Sequence, residues 1–227
     1  MLTGIHYTFE DGKLIAVTGP NGSGKTTLAR IIAGLEKPLS GRILLNGEDI
    51  TELNVTERAR KGISYAFQQP VRFKGLTVRQ LIETAAGGKI DECGLCDVLS
   101  KVGLCANEYC NREADATLSG GEMKRIEIAT VLARHTNLTV FDEPEAGIDL
   151  WSFSSLIQTF QDIRREVKGP MIIISHQERI LRAADEILLV DGGSVAESGP
   201  AEHMLNNVLR ADSAVRACHK QEAVFHE

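Results

Sequence analysis

Short apolar runs punctuate the chain at strand length: Leu14–Thr18, Ile63–Phe67, Leu138–Asp142, Met171–Ser175 and Glu186–Asp191. Continuous apolar character over four to six residues predicts strands buried on both faces, as in a parallel sheet covered by helices. Helical patterns alternate with these runs over Lys25–Ala33, Lys124–Arg134 and Phe153–Val167. In the second of them Ile128, Val131 and Leu132 fall at i, i+3 and i+4 and share one face. Such alternation predicts an α/β fold with a mostly parallel sheet flanked by helices. From Leu76 to Ala116 the strand signal lapses and a helical pattern takes over, broken at Gly87-Gly88 and Gly103. That stretch reads as a helical subdomain inserted into the core. Gly192-Gly193 separates two short strand runs as a hairpin turn does, and Ala201–Glu227 reads as polar helix.

With 227 residues the chain suits one large domain, or a core carrying a subdomain, and can bury a core without disulfides. A formal charge of −6 argues against nucleic acid as a direct partner, because phosphate backbones demand a concentrated cationic face. No run approaches the ~20 apolar residues of a membrane helix, and Met1–Asp11 lacks the basic and apolar regions of a signal peptide. Five cysteines, an odd number, suit free thiols in a reducing compartment, so a cytoplasmic location is expected. Cys93, Cys96, Cys105 and Cys110 cluster in the helical stretch. With only one C-x₂-C pair, they read as small apolar core residues, and no metal site is expected there.

The chemistry begins at Gly19-Pro20-Asn21-Gly22-Ser23-Gly24-Lys25-Thr26, which fits G-x-x-x-x-G-K-[ST] between a strand and a helix. Glycines let backbone N–H groups converge on phosphate oxygens, and the helix presents its positive end to the same charge. Gly19, Asn21, Gly22, Ser23, Gly24, Lys25, Thr26 and Thr27 are therefore candidate nucleotide-binding residues. Lys25 supplies a point charge and the Thr26 hydroxyl a ligand for Mg²⁺. At the end of Leu138–Asp142, Asp142 is a candidate for the same metal shell and Glu143 for the attacking water.

Further segments then narrow the reading. Leu118-Ser119-Gly120-Gly121-Glu122 resembles the signature motif of ABC-type ATPases. Glu143-Pro144-Glu145-Ala146-Gly147-Ile148-Asp149 resembles their D-loop, His176 their switch histidine and Gln68 their Q-loop glutamine. The matches keep the family's order across residues 13 to 200. The resemblance implies a P-loop core over residues 1–74 and 132–227, with a helical subdomain over 75–131 ending in the signature. It implies ATP hydrolysis with Mg²⁺ in a head-to-tail dimer, each nucleotide lying between one P-loop and the opposite signature. Ser119, Gly120 and Gly121 would then meet the partner's nucleotide, and Asp149 of the D-loop is a further nucleotide-binding candidate. Gln68 would join Thr26 and Asp142 around Mg²⁺, and Glu143, His176 and Gln68 would form the catalytic set. Tyr7 and Phe9 lie too close to the loop to serve as the family's adenine-stacking aromatic.

Three stretches are similar to one branch, the ATPase subunit of the SUF iron–sulfur cluster assembly system. They are Ala66-Phe67-Gln68-Gln69-Pro70-Val71-Arg72-Phe73-Lys74-Gly75-Leu76, Ser119–Glu127 with its Lys124-Arg125 pair, and Ser175-His176-Gln177-Glu178-Arg179-Ile180-Leu181. That likeness implies a soluble iron–sulfur scaffold protein as partner. The alternative is the nucleotide-binding subunit of an ABC transporter, docked on a membrane permease.

Overall fold

The structure, a computed structural model, describes residues 2–134, 136–148 and 150–208. In chain order the elements are β1 (Leu14–Thr18), α1 (Lys25–Ala33), β2 (Leu44–Leu45), β3 (Glu48–Asp49), α2 (Val55–Arg60), β4 (Ile63–Ala66), α3 (Val78–Ala86), α4 (Glu92–Lys101) and α5 (Ala106–Tyr109). They continue with α6 (Gly120–Ala133), β5 (Leu138–Asp142), α7 (Leu150–Glu166), β6 (Met171–Ile174), α8 (Glu178–Ala183), β7 (Glu186–Asp191) and β8 (Ser194–Pro200). Residues 201–208 are helical, and the rest of the expected C-terminal helix lies outside the described residues.

Six strands form one sheet in the order β4-β5-β6-β1-β7-β8. All neighbours are parallel except β7 and β8, which form the hairpin predicted at Gly192-Gly193. The five apolar runs thus become strands, because their side chains are covered on both faces. Ile15, Val17, Val140, Ile172 and Ile174 pack with Leu28, Ala29 and Ile32 of α1 on one face. Leu14, Phe141, Met171 and Ile173 face the other way, toward Phe153, Leu156, Phe160 and Ile163 of α7. Each such buried side chain contributes roughly 1.5–3 kcal/mol against its exposed state.

The helical stretch shares that second core: Val78, Ile82, Leu95, Leu99, Ile126 and Ile128 join the cluster containing Phe141. Its helices end near the predicted breaks, α3 on Gly87 and α4 just before Gly103. Three elements escaped the sequence reading. The β2–β3 hairpin turns on Asn46-Gly47, both with positive φ, a type I′ dipeptide. The single turns α2 and α8 are too short for a periodic signal. α6 begins at Gly120, ahead of the Lys124 start of the apolar pattern, because Ser119 and Glu122 form a reciprocal capping box.

One expectation is corrected outright. Cys93, Cys96 and Cys105 are exposed, and only Cys110 is buried. Cys93 and Cys96 sit on the outer face of α4, whose inner face is held by Leu95 and Leu99.

Candidate functional site

Parallel strands all deliver their C-terminal ends to one edge of the sheet, and the register specifies which ends meet. Asp142 pairs with Ile174 across β5 and β6, Val17 with Ile174 across β6 and β1, and Ala66 with Phe141 across β4 and β5. The loops carrying Gly19–Thr26, Gln68, Glu143 and His176 therefore gather side by side, although they come from four distant parts of the chain.

The phosphate loop is built as its composition predicts. Gly19, Gly22 and Gly24 have φ of 141°, 80° and 105°, conformations that L side chains rarely adopt. A Cβ on Gly19 would lie 1.9 Å from the Val190 carbonyl oxygen, so glycine there is also a matter of space. α1 has no side-chain N-cap hydrogen bond and no acid in its first turn, whereas α2, α3, α4 and α6 are each capped by a side chain. Its N-terminal N–H groups are left for an anion. The buried Ser23 hydroxyl has no hydrogen-bond partner within the protein. Lys25 donates to the carbonyls of Gly19 and Pro20 at 2.8 Å each, leaving one of three ammonium protons for a ligand. Burial holds its pKa below the usual lysine value, opposed by the nearby Glu143 and Asp142. Asn21 is exposed and Thr27 half-buried on the first turn.

Around the loop the carboxylates are fastened. Thr26 Oγ1 donates to Asp142 Oδ1 at 3.3 Å, and Tyr65 Oη donates to Asp142 Oδ2 at 2.7 Å. Burial first, and then the Asp142 carboxylate, push the Tyr65 phenol well above its ordinary value. The Gln68 amide donates to Glu143 Oε2, as the register of β4 against β5 requires. Glu143 itself has a left-handed backbone, φ 45°, with its N–H on the Ile174 carbonyl at 3.0 Å. His176 is half-buried just past β6.

The Thr26 hydroxyl beside the Asp142 carboxylate suits a hard cation such as Mg²⁺, which takes one or two carboxylates plus phosphate oxygens. No cluster of three His, Cys, Asp or Glu exists among the described residues, and such a site needs none. The donor set therefore fits Mg²⁺ with a nucleotide.

Not every candidate is brought together. Ser119, Gly120 and Gly121 open α6, where Ser119 Oγ accepts the Glu122 N–H at 3.2 Å and Glu122 Oε2 accepts the Ser119 N–H at 2.7 Å. Among the described residues no hydrogen bond joins this turn to the phosphate loop. Asp149 lies outside the described residues. Tyr7 and Phe9 stack edge to face, and Tyr7 Oη donates to Glu186 at the opposite end of the sheet from the loop.

Four residues at the site are not among the sequence candidates. Tyr65 was one, although a tyrosine in a buried strand needs a partner for its hydroxyl. Lys124 and Glu127 were others. Lys124 is fully buried, and its position four residues before Ile128 on the apolar face of α6 was the available signal. Glu145 was the last; the D-loop resemblance covers its segment but gives it no role.

Comparison with known proteins agrees with this geometry. The profile of the ABC transporter family matches residues 2–146. The uncharacterized ABC transporter ATP-binding protein MJ0035 of Methanocaldococcus jannaschii is 38% identical over 207 residues, 88% of this chain and 82% of its own length. The sulfate/thiosulfate import ATP-binding protein CysA of a Synechocystis strain is 34% identical over 89% of this chain, which spans 57% of that protein. The thiamine import ATP-binding protein ThiQ of Brucella abortus is 33% identical over 90% of this chain and 86% of its own. Among solved structures, the dimeric post-hydrolysis state of the ATP-binding cassette MJ0796 bound to ADP and Pi superposes with a TM-score of 0.78. It covers 88% of this chain and 90% of that one at 22% identity, a likeness of fold. A phosphate loop, a strand-end Asp-Glu pair and a signature turn, carried on this sheet, place the chain in the ABC transporter family as an ATP-hydrolysing cassette that binds ATP with Mg²⁺.

Proposed function

We propose that the chain is the motor subunit of an ABC transporter, hydrolysing ATP as a head-to-tail dimer that drives a membrane permease. The observation that carries this reading is its likeness over about nine-tenths of its length to two subunits named for import. No helix among the described residues is long and apolar enough to cross a membrane.

In this reading residues 1–74 and 132–227 act as the ATP-binding core and residues 75–131 as the arm that presents the signature. The loop from Gly19 to Thr27 would cradle the phosphates, with Lys25 contributing charge. Thr26, Asp142 and Gln68 would hold Mg²⁺, which when bound neutralises charge on the β- and γ-phosphates. Glu143 would orient and deprotonate the attacking water, Gln68 would sense its place, and His176 would hold the γ-phosphate side of the site. Ser119, Gly120, Gly121 and Asp149 would act on the nucleotide of the partner subunit. The capping box leaves the Ser119 O–H proton free for that purpose, because its oxygen accepts and does not donate.

The partner would dock beside the Q-loop. Val71 and Phe73 are 45% and 42% exposed and alternate with the cations Arg72 and Lys74. The Phe73 N–H is tied to the Ala114 carbonyl at 2.8 Å, so the apolar anchor stands on a fastened loop. Leu76, three residues on, lines a shallow depression with Gln80, Glu83, Thr84 and Lys89.

A second reading, the energising subunit of a soluble iron–sulfur scaffold, rests on the resemblance of three short stretches to the SUF subunit. Two of the stretches that resemble the SUF subunit grip each other: Lys124 donates to the Phe67 carbonyl, and Glu127 Oε1 accepts the Phe67 N–H at 2.8 Å. Affinity purification of the chain separates the two readings. Recovery of a multi-span permease from the detergent-solubilised membrane fraction supports the transporter. Co-purification with a scaffold protein from a detergent-free lysate would transfer the function to cluster assembly. In either complex Phe73→Ala should weaken the partner by ~1–3 kcal/mol, as for an interface anchor.

A further inference from the structure

Beyond Asp142 the chain turns back over the end of β6, and Glu145 sits in that turn. The left-handed backbone of Glu143 makes the turn, and the Ala146 N–H closes it on the Glu143 carbonyl at 3.0 Å. Because β5 and β6 are parallel with Asp142 opposite Ile174, residues just past the two strands face each other. There the Ser175 hydroxyl donates to Glu145 Oε1 and accepts the Gln177 N–H at 2.9 Å. Ser175 is fully buried, and its own N–H is held by the Val17 carbonyl at 3.1 Å. An unbroken chain of donors thus runs from the Gln177 amide through the Ser175 hydroxyl to the Glu145 carboxylate, and His176 is the residue it brackets.

We propose that Glu145, acting through the Ser175 hydroxyl, is a positioning residue that holds the Ser175–Gln177 turn and so keeps His176 in register with Glu143. The proposal rests on the reading of Glu143 and His176 as hydrolytic residues. Serine has a single hydroxyl proton. Giving it to Glu145 turns a lone pair toward Gln177, so the acceptor on one loop orients the backbone of the other.

The cost of keeping a carboxylate there argues for such a role. Glu145 Oε2 is buried without a hydrogen-bond partner, and burial raises the carboxyl pKa, with Glu143 adding to the rise and Ser175 and Lys124 opposing it. An apolar side chain would fill the place without that desolvation. What the carboxylate adds is the bond to Ser175.

Steady-state ATP hydrolysis and binding of a fluorescent ATP analogue by the full chain test the proposal. Glu145→Ala and Ser175→Ala should each lower kcat about 10-fold, within the range by which a small misplacement slows a reacting group. KM and analogue affinity should stay within about 2-fold, since neither residue touches the phosphate loop. The double variant should lose no more than either single one. Glu145→Gln, which keeps an acceptor for Ser175 and removes the charge, should recover most of the turnover. Adding Glu145→Ala to His176→Ala should cost nothing further. Wild-type turnover in Glu145→Ala, or a Glu145→Gln loss as deep as that of alanine, would overturn the positioning role. If His176→Ala itself hydrolyses ATP normally, it is the reading of His176 that fails.

Discussion

The ammonium of Lys124, wholly inside the protein, donates to the carbonyl of Phe67, the residue immediately before Gln68. Glu127, one turn further along α6, takes the Phe67 N–H and lies 3.0 Å from the same ammonium. The helix that carries the signature turn therefore grips both backbone groups of one residue at the entrance to the Q-loop. Displacement of α6 must pull on Phe67, and Gln68 is bonded to Glu143. The geometry links the turn proposed to meet the opposite subunit to the carboxylate proposed to handle water.

Removing one member of that buried pair should cost far more than removing both. Lys124→Met leaves Glu127, only 14% exposed, with a carboxylate deprived of its cation. A loss of ~3 kcal/mol is expected from breaking such a pair, and Lys124→Met/Glu127→Leu should recover part of it. Urea unfolding of the three proteins measures this, and equal losses in single and double variants would show the pair to be energetically uncoupled.

Glu143→Gln should keep nucleotide binding and lose ~10²–10⁴-fold in turnover, the range of general-base contributions. The Gln68 bond has an acceptor in either residue, so the site should stay assembled. Slow hydrolysis should prolong the ATP-bound dimer, visible as a dimer peak in size-exclusion chromatography with ATP and Mg²⁺. Undiminished turnover would remove Glu143 from the role.

Ser119→Arg should abolish that dimer on the Glu143→Gln background while leaving ATP binding by the monomer nearly intact. It also deletes the cap of α6, so a stability loss of about 1 kcal/mol should accompany it. Ser119→Asp keeps the cap and adds charge against the phosphate, and should block dimerisation without that loss. A dimer peak indifferent to both variants would contradict the head-to-tail arrangement.

Acid should loosen the signature turn through Glu122. Its carboxyl is lowered from 4.5 to about 2, first by the Tyr109 hydroxyl, then by the backbone and side chain of Ser119. A depressed folded-state pKa means stability that is complete above the unfolded value and drains away as pH falls from near 4.5 toward 2. Glu122→Gln should therefore flatten the pH dependence of urea stability between pH 5 and roughly pH 2.5 relative to wild type. Parallel curves for the two proteins would show that Glu122 contributes nothing to acid sensitivity.

The likeness to import subunits also weighs on the branch reading. The residues that resemble a cluster-assembly ATPase are real features of the molecule, and Lys124 and Glu127 give two of those stretches a physical contact. Local segments of 7 to 11 residues identify an environment, whereas likeness over most of a chain follows its whole surface. Partner choice would be decided on that surface, at exposed apolar residues such as Phe73, the proposed anchor.

The five strands were legible because burial on both faces leaves a continuous apolar run, and the phosphate loop because its glycines at positive φ and its lysine are a local requirement. Asp142 and Glu143 were legible as a strand end beside that loop. Local pattern also carried the helical stretch and its glycine breaks. It could not show Arg58, whose guanidinium is 1% exposed and donates to the carbonyls of Leu53, Ile31, Ile32 and Thr51, tying α2 to the last turn of α1. Nor could it show that Cys93 and Cys96 face solvent, that Tyr65 holds Asp142, or that the Ser175 hydroxyl donates to Glu145 across 30 residues of chain. Periodicity reports which face of an element is buried. It does not report which neighbour arrives there, because strand order and register are set by how several elements close around one core.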